Sequence, residues 1–510
     1  MEAKLKTDAI AYLKSVVETS FTQEETQEAI VPDTYPDIAR ILDVEGKVLL
    51  KSKEADLGRV SLSGTVLVHV LYQAEDGAGV FSLDIPIPFT GGLDAEEITD
   101  ETKVCLQAAL QSCDARMINS RKVLIRADLL VEVLGFDPNV LSCSTELEDA
   151  QNAALHVQQD EQNVQLVTAV HEKTFVIADE FAMPAGKPMI GEILKSRVRF
   201  INEDIKYVGN KLIFKGYASI SVLYKAEGTE EVFPADFTAS FSQIMELEAE
   251  GTDKYFDMSF MLTNLFVEPA NIESGGLSIE LHLLAQAVEK ASFVHRFLSD
   301  AYSTKFEVEN HFAGGQLENI EHNETVATEI RESIELPHGV MRVIDANIFL
   351  GKVQLSQDDG KMSLHNSAFL TVLYLTEDGM TEGVTHHLEA NASFDIRHRR
   401  TYHASAMLGG EIQVLPSANG LEVRIPLTYA ISAKQKLSFQ SVERISWEEE
   451  HMRDLSALPS VVLYHAEGGE SLWYMAKRYC STSEQIMLAN AVDETVVPYP
   501  GQLFIIPKAR

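Results

Sequence analysis

The chain has 510 residues, 45% of them apolar, and a formal charge of −35 from 77 acidic against 42 basic side chains. That length exceeds one hydrophobic core, so several domains are expected. The acidic residues run along the whole sequence, which excludes a phosphate-binding surface of clustered Lys and Arg and disfavours anionic lipid; neither nucleic acid nor membrane insertion is expected.

Residues 1–24 form a leading segment with no long apolar core and no cleavage signal, and no later run approaches the length of a membrane span. Cys105, Cys113, Cys143 and Cys480 make no CxxC pair. Reduced thiols in a cytosolic chain are therefore expected.

An internal repeat follows. Val70-Leu71-Tyr72 recurs as Val222-Leu223-Tyr224 and as Val372-Leu373-Tyr374, the tyrosines standing 152 and 150 residues apart. Polar turns come next: Asp76-Gly77, Gly228-Thr229 and Asp378-Gly379, each a hairpin signal. Strand-like segments then end near Phe89, Phe241 and Phe394. Upstream, Ile38, Ile41 and Leu42 match Ile190, Ile193 and Leu194, with a weaker copy at Val340, Val343 and Ile344. That spacing suits a short helical turn or the start of a strand. Downstream, Val123–Asp128, Leu277–His282 and Leu421–Pro426 alternate apolar with polar residues. Period-2 patterning predicts a multidomain chain of three mainly antiparallel β-rich repeat domains at 25–155, 156–300 and 301–440. The polar stretch 138–163 reads as a connecting loop, and 441–459 as a linker. The three tyrosines are expected to pack in cores.

No catalytic, cofactor or metal residues are assigned, and a non-enzyme is expected. His171-Glu172-Lys173-Thr174-Phe175 lacks the second histidine of a zinc helix. Adjacent His386 and His387 would point to opposite faces of a strand. Neither Gly77-Ala78-Gly79 nor Gly186-Lys187-Pro188 completes a phosphate loop, and no GxSxG elbow occurs.

The last fifty residues read Tyr464-His-Ala-Glu-Gly-Gly-Glu-Ser-Leu-Trp473, then Ile486-Met-Leu-Ala-Asn490, then Tyr499-Pro-Gly-Gln502 and Ile506-Pro507. That order resembles the LysM family, and implies a small βααβ domain at 460–510 of a class best known for binding N-acetylglucosamine polymers. Helices are predicted near 470–479 and 483–490, with Ser471 starting the first and Leu472, Met475 and Ala476 facing the core. Asn490 matches a loop-structuring asparagine of the family. The resemblance places a sugar groove at Gly469, Glu470, Ser471 and Leu472 with Ala491, Val492 and Asp493. The longer Glu470, where the family usually has aspartate, is expected to crowd that groove.

In the last strand Phe504 and Ile506 are expected to face the helices. Leu503 and Ile505 would then face outward, with Leu463 and His465 beside them and the aromatic Tyr474 nearby. An apolar face on so small a domain marks a protein interface. The alternatives are packing on 441–459 or the third repeat, and glycan.

Repeats followed by a LysM module resemble the SipL-like family of clostridial spore-coat morphogenetic proteins. The resemblance implies a cytosolic mother-cell protein at the forespore surface. It also implies a scaffold whose LysM module binds the coat morphogenetic ATPase (SpoIVA-like), with other coat proteins as further partners and no cofactor. The rival reading is a peptidoglycan-binding protein of wall or cortex remodelling.

Overall fold

The computed structural model describes residues 1–509 apart from 76, 78, 150–152, 249–252, 271–274, 322–323, 359, 398–399, 455, 457–458 and 494. Almost all of it is antiparallel sheet, with two short helices near the C-terminus. Asp76 of the first hairpin turn lies outside the described residues. Gly77, Gly228 and Gly379 of the three turns all have positive φ, between 73° and 78°, a backbone state that favours glycine.

Three successive sets of strands follow one path. In the first, β1 (Lys4–Ile30) leads into a meander of β2 (Ile38–Asp56), β3 (Arg59–Ala74) and β4 (Val80–Asp94). It closes with β5 (Lys103–Asn119) and β6 (Lys122–Asp149), which returns along the whole of β1. The second set repeats this as β7 (Leu155–Ala182), the meander β8 (Ile190–Val208), β9 (Lys211–Ala226) and β10 (Val232–Glu246), then β11 (Lys254–Pro269) and β12 (Gly276–Ser303). In the third, the leading strand is split into β13 (Phe306–Ile320) and β14 (Glu324–Glu335). The meander is β15 (Val340–Leu350), β16 (Gln354–Asp358), β17 (Lys361–Thr376) and β18 (Thr381–Asp395). The fifth strand is split into β19 (Arg400–Leu408) and β20 (Gln413–Ser417), and β21 (Gly420–Met452) closes the set.

Three expectations change. Residues 4–24 do not stand apart from the first repeat: they belong to β1, which pairs along β6. Most of 138–163 is not a loop but the ends of β6 and β7, polar because much of it faces solvent. Residues 441–452 continue β21, carrying the buried Val442, Ile445 and Trp447, so the linker is shorter than 441–459. Residues 38, 190 and 340 start strands, not helical turns.

In each meander one face packs on the long strands. Tyr72, Tyr224 and Tyr374 lie on that face, and each is almost fully buried. Tyr72 donates its hydroxyl to Pro36 O at 3.1 Å, and Tyr224 donates to Pro188 O at 2.9 Å. Tyr374 donates instead to Glu382 Oε2 at 3.0 Å.

The meanders close a ring: β4 lies against β8, β10 against β15, and β18 against β2. The ring depends on a pair of bulges at the same place in each first meander strand. They fall on either side of Arg40 and Ile41, Glu192 and Ile193, and Arg342 and Val343. A bulge adds one residue and re-aims its neighbours. The second bulge turns Leu42, Leu194 and Ile344 into a shared central cluster with Leu71, Leu223 and Leu373. Each such burial contributes roughly 2 kcal/mol. Gly383 of β18 meets Leu42 O so closely that a Cβ there would stand 1.6 Å from it, so only glycine fits.

Beside the leucines lies a buried ionic centre. Lys195 contacts Asp345 Oδ2 at 2.5 Å, Glu45 Oε2 at 3.2 Å, and Asp43. Positions 43, 195 and 345 are equivalent in the three sets: each pairs with the leucine of its set, Leu71, Leu223 or Leu373. The Asp43, Glu45 and Asp345 carboxylates crowd together as metal ligands do, yet the Lys195 and Arg197 cations already fill the space among them.

Away from the ring, the long strands run to a foot. There Ala3, Leu155 and Phe306, near the starts of β1, β7 and β13, pack with Leu298, Val442 and Trp447.

Candidate functional site

The C-terminal domain is built as β22 (Val461–His465), α1 (Leu472–Tyr479), α2 (Ser483–Asn490) and β23 (Leu503–Pro507). Ser471 caps α1, its Oγ accepting from Tyr474 N at 3.2 Å. Thr482 caps α2 in the same way through Gln485 N. Left-handed Cys480 and Ala491 end the two helices. Leu472, Met475 and Ala476 of α1 pack with Ile486, Phe504 and Ile506 in one small core. Asn490 ties the last strand to α2. Its Nδ2 donates to Ile486 O at 2.8 Å and Ile505 O at 2.7 Å, while its Oδ1 accepts from Ile505 N at 2.7 Å.

The outer face of the two-stranded sheet is apolar and open. Leu463 pairs with Ile505 and His465 with Leu503. Leu463 is 65% exposed, Leu503 50% and Ile505 39%, whereas the intervening Phe504 is fully buried. Tyr474 does not join this face. It stands on α1, in the helical layer, where its hydroxyl accepts from Arg478 Nη1 at 3.3 Å.

The groove residues separate as well. Gly469, Ser471, Ala491 and Asp493 are exposed, while Leu472 is buried in the core and Val492 packs against it. Glu470 does not reach into the groove. Its carboxylate folds back to accept from Tyr464 Oη at 2.7 Å and from Glu467 N and Gly468 N, each at 2.8 Å. These bonds hold its pKa down at about 2. The expected crowding by the longer side chain is thus absent, because the extra methylene lets the carboxylate close its own turn.

A contact that sequence reasoning missed fixes the module to the body. Trp473 Nε1 donates to Asp300 Oδ2 at 2.8 Å, and Lys477 Nζ reaches both oxygens of Asp300 at 2.7 and 2.8 Å. Tyr302 donates to Ser481 O at 2.9 Å, and its ring meets Trp473 edge-on at 4.8 Å. Below it His156 stacks at 5.1 Å. The signal was available: Trp473 and Lys477 stand one turn apart on α1, away from its core-facing residues. Docking therefore uses α1 and the loop after it against the end of β12, and leaves the outer sheet face in solvent.

Comparison with known proteins gives the same division. The family model described as SipL, SPOCS domain matches residues 37–118 and 189–272, the span of β2–β5 and of β8–β11. The LysM domain model matches residues 464–507. No curated protein and no solved structure matches the chain. Both matched families are non-catalytic binding domains, the first sporulation-related and the second a peptidoglycan-binding type. The domain make-up is that of a SipL-like protein with a C-terminal LysM domain. Among the described residues no helix is long and apolar enough to cross a membrane.

Proposed function

We propose that this chain is a non-enzymatic scaffold for spore-coat assembly. Its LysM module binds the coat morphogenetic ATPase at the forespore surface, and its body of three copies of one repeat domain presents surfaces to other coat proteins. The exposed sheet face of Leu463, Leu503 and Ile505 carries this reading. A module held to its own body by α1 keeps that face free, and an open apolar face on so small a domain suits a protein partner. The equal strand path and matching bulges of the third set support a third copy, although the family model matches the first two alone.

The test is capture of the full-length chain on immobilised coat ATPase and, separately, on peptidoglycan and chitin oligomers. Retention by the ATPase that is lost in Leu503→Asp and Ile505→Asp is the expected result. Glycan binding in wall or cortex remodelling is the second reading, favoured by the open groove that Glu470 leaves clear. Retention on glycan alone, competed by chitin oligomers and untouched by the sheet-face variants, would overturn the scaffold reading.

A further inference from the structure

The three seams of the ring are built at equivalent positions but filled differently. Across the outer face of each meander runs one row of three paired residues. In the first set the row is Lys47, Leu67 and Pro86. In the second it is Arg199, Ser219 and Thr238, and in the third Phe349, Phe369 and His387. The first seam is closed by a hydrogen bond, Lys47 Nζ donating to Ser196 Oγ of the next set at 2.8 Å. The third is closed by packing, since Phe349 and Phe369 join the core of the first set.

The seam between the second and third sets stays open. The position equivalent to Ser196 is there Ala346, which has nothing to offer Arg199. Among the described residues the Arg199 guanidinium has no hydrogen bond and no ion pair, and the hydroxyls of Ser219 and Thr238 have no partner. A cleft of about 530 Å³ stands over them, walled by third-set residues that include Glu411 and Ile412. Its cause is local. The unbroken β5 and β11 cross onto β15 and β2 of neighbouring sets. The third set instead interrupts this strand between β19 and β20 with Gly409-Gly410-Glu411-Ile412.

We propose that this cleft is a binding site for a singly charged carboxylate, held by Arg199 with the Ser219 and Thr238 hydroxyls beside it. A guanidinium presents a planar fork that matches a carboxylate, and hydroxyls at its side can serve the remaining lone pairs. The ligand carries one charge because Asp236 and Glu411 line the same cleft and repel a second. Arg197 adds no free charge, being engaged by Glu45 and Asp345. Burial and the neighbouring Arg197 lower the pKa of Arg199, and the more distant pull of Glu45 and Asp345 offsets this in part. The site lies in the body and does not rest on the reading of the LysM module.

The full-length chain is titrated calorimetrically with N-acetylglutamate α-amide, its glutamine counterpart, inorganic phosphate, and a Gly-Glu-Gly peptide capped at both ends. Saturable binding of the two carboxylate probes, with the glutamine probe and phosphate at least about ten-fold weaker, is expected. Arg199→Gln should weaken that binding by about ten-fold or more. Ser219→Leu, which installs the residue that the first set carries as Leu67, should do the same without lowering the melting temperature. Tighter binding of the peptide than of the free probe assigns the carboxylate to a polypeptide, and the reverse to a small acid. No saturable carboxylate binding up to about 10 mM, equal binding of glutamine or phosphate, or indifference to both variants overturns the proposal.

Discussion

Arg197 of the second strand set holds Glu45 of the first in a two-pronged contact, Nε to Oε1 at 2.7 Å and Nη2 to Oε2 at 2.8 Å. Burial alone would raise the Glu45 pKa, but Arg197 and Lys195 together hold it down at about 2. Asp345 is likewise buried, and the same two cations hold it well below the usual carboxylate range. Both folded-state values lie below those of the unfolded chain. Their contribution is therefore complete above the ordinary carboxylate range and is lost as pH falls through the folded values. The melting temperature should decline gently from neutral pH to about 5, because burial lowers the pKa of His69, His156 and His295 and the unfolded chain takes up those protons first, and fall steeply between about pH 4.5 and 2. Glu45→Gln should cost about 3–5 kcal/mol at pH 7, because it leaves Arg197 buried beside a neutral partner, and should flatten the acid limb. Thermal unfolding followed by circular dichroism across this range reads both effects. An acid limb of unchanged slope in the variant would contradict the assignment.

The three repeat tyrosines divide by the partner of the hydroxyl. Tyr72→Phe and Tyr224→Phe each strand a proline carbonyl, at Pro36 and Pro188, and should cost about 1 kcal/mol apiece in urea unfolding. Tyr374→Phe should cost less, since Glu382 keeps Arg40 Nη1 at 3.0 Å. Equal losses at all three sites would mean that ring packing, not the hydroxyl, sets the cost.

On the LysM module, alternation along one strand separates stability from binding. Leu503→Asp and Ile505→Asp change exposed positions and should shift stability by no more than about 0.5 kcal/mol. Phe504→Ala empties the small core between them and should cost about 3–5 kcal/mol. Amide exchange along α1 and β23 in the full chain compares the three variants directly.

The contact between module and body can be loosened by removing polar atoms alone, leaving the Tyr302 ring in the module core. Asp300→Ala removes the acceptor of both Trp473 and Lys477, and Tyr302→Phe removes the donor to Ser481 O. The pair of changes should raise amide exchange along α1 and at Ser481, while capture by the ATPase is kept. Loss of capture in a module still folded would show that the docked orientation itself is part of recognition.

What the sequence revealed depended on how many neighbours each pattern needs. The tyrosine repeats were legible because each meander strand alternates buried and partly exposed residues along one short segment and turns at a glycine. The bounds of α2 were legible because the family resemblance carried them, with Asn490 at the end of the helix. Strand β1 was hidden, since its second half, Thr19-Ser-Phe-Thr-Gln-Glu-Glu-Thr-Gln-Glu28, is polar where a ribbon meets water, and its partner lies about a hundred residues on. The bulges around Leu42, Leu194 and Ile344 were invisible for a related reason. A bulge exists only in the register between two strands. On the module, the burial of Leu472 followed from its helical spacing, whereas the fold of Glu470 onto Tyr464 did not.

The charge order at the ring centre also sets a timetable. Lys195 draws on Asp43, which precedes it by 152 residues, and on Asp345, which follows by 150. A nascent chain that has completed its second meander therefore holds a lysine and an arginine with two of their three counter-charges, Asp43 and Glu45, in place. The leucine cluster beside them is still open to water on its third side. Closure waits for the third meander, and with it for contacts far apart in the chain, which are slow to form. Until then the exposed seam is the part of the molecule most open to a copy emerging from a neighbouring ribosome.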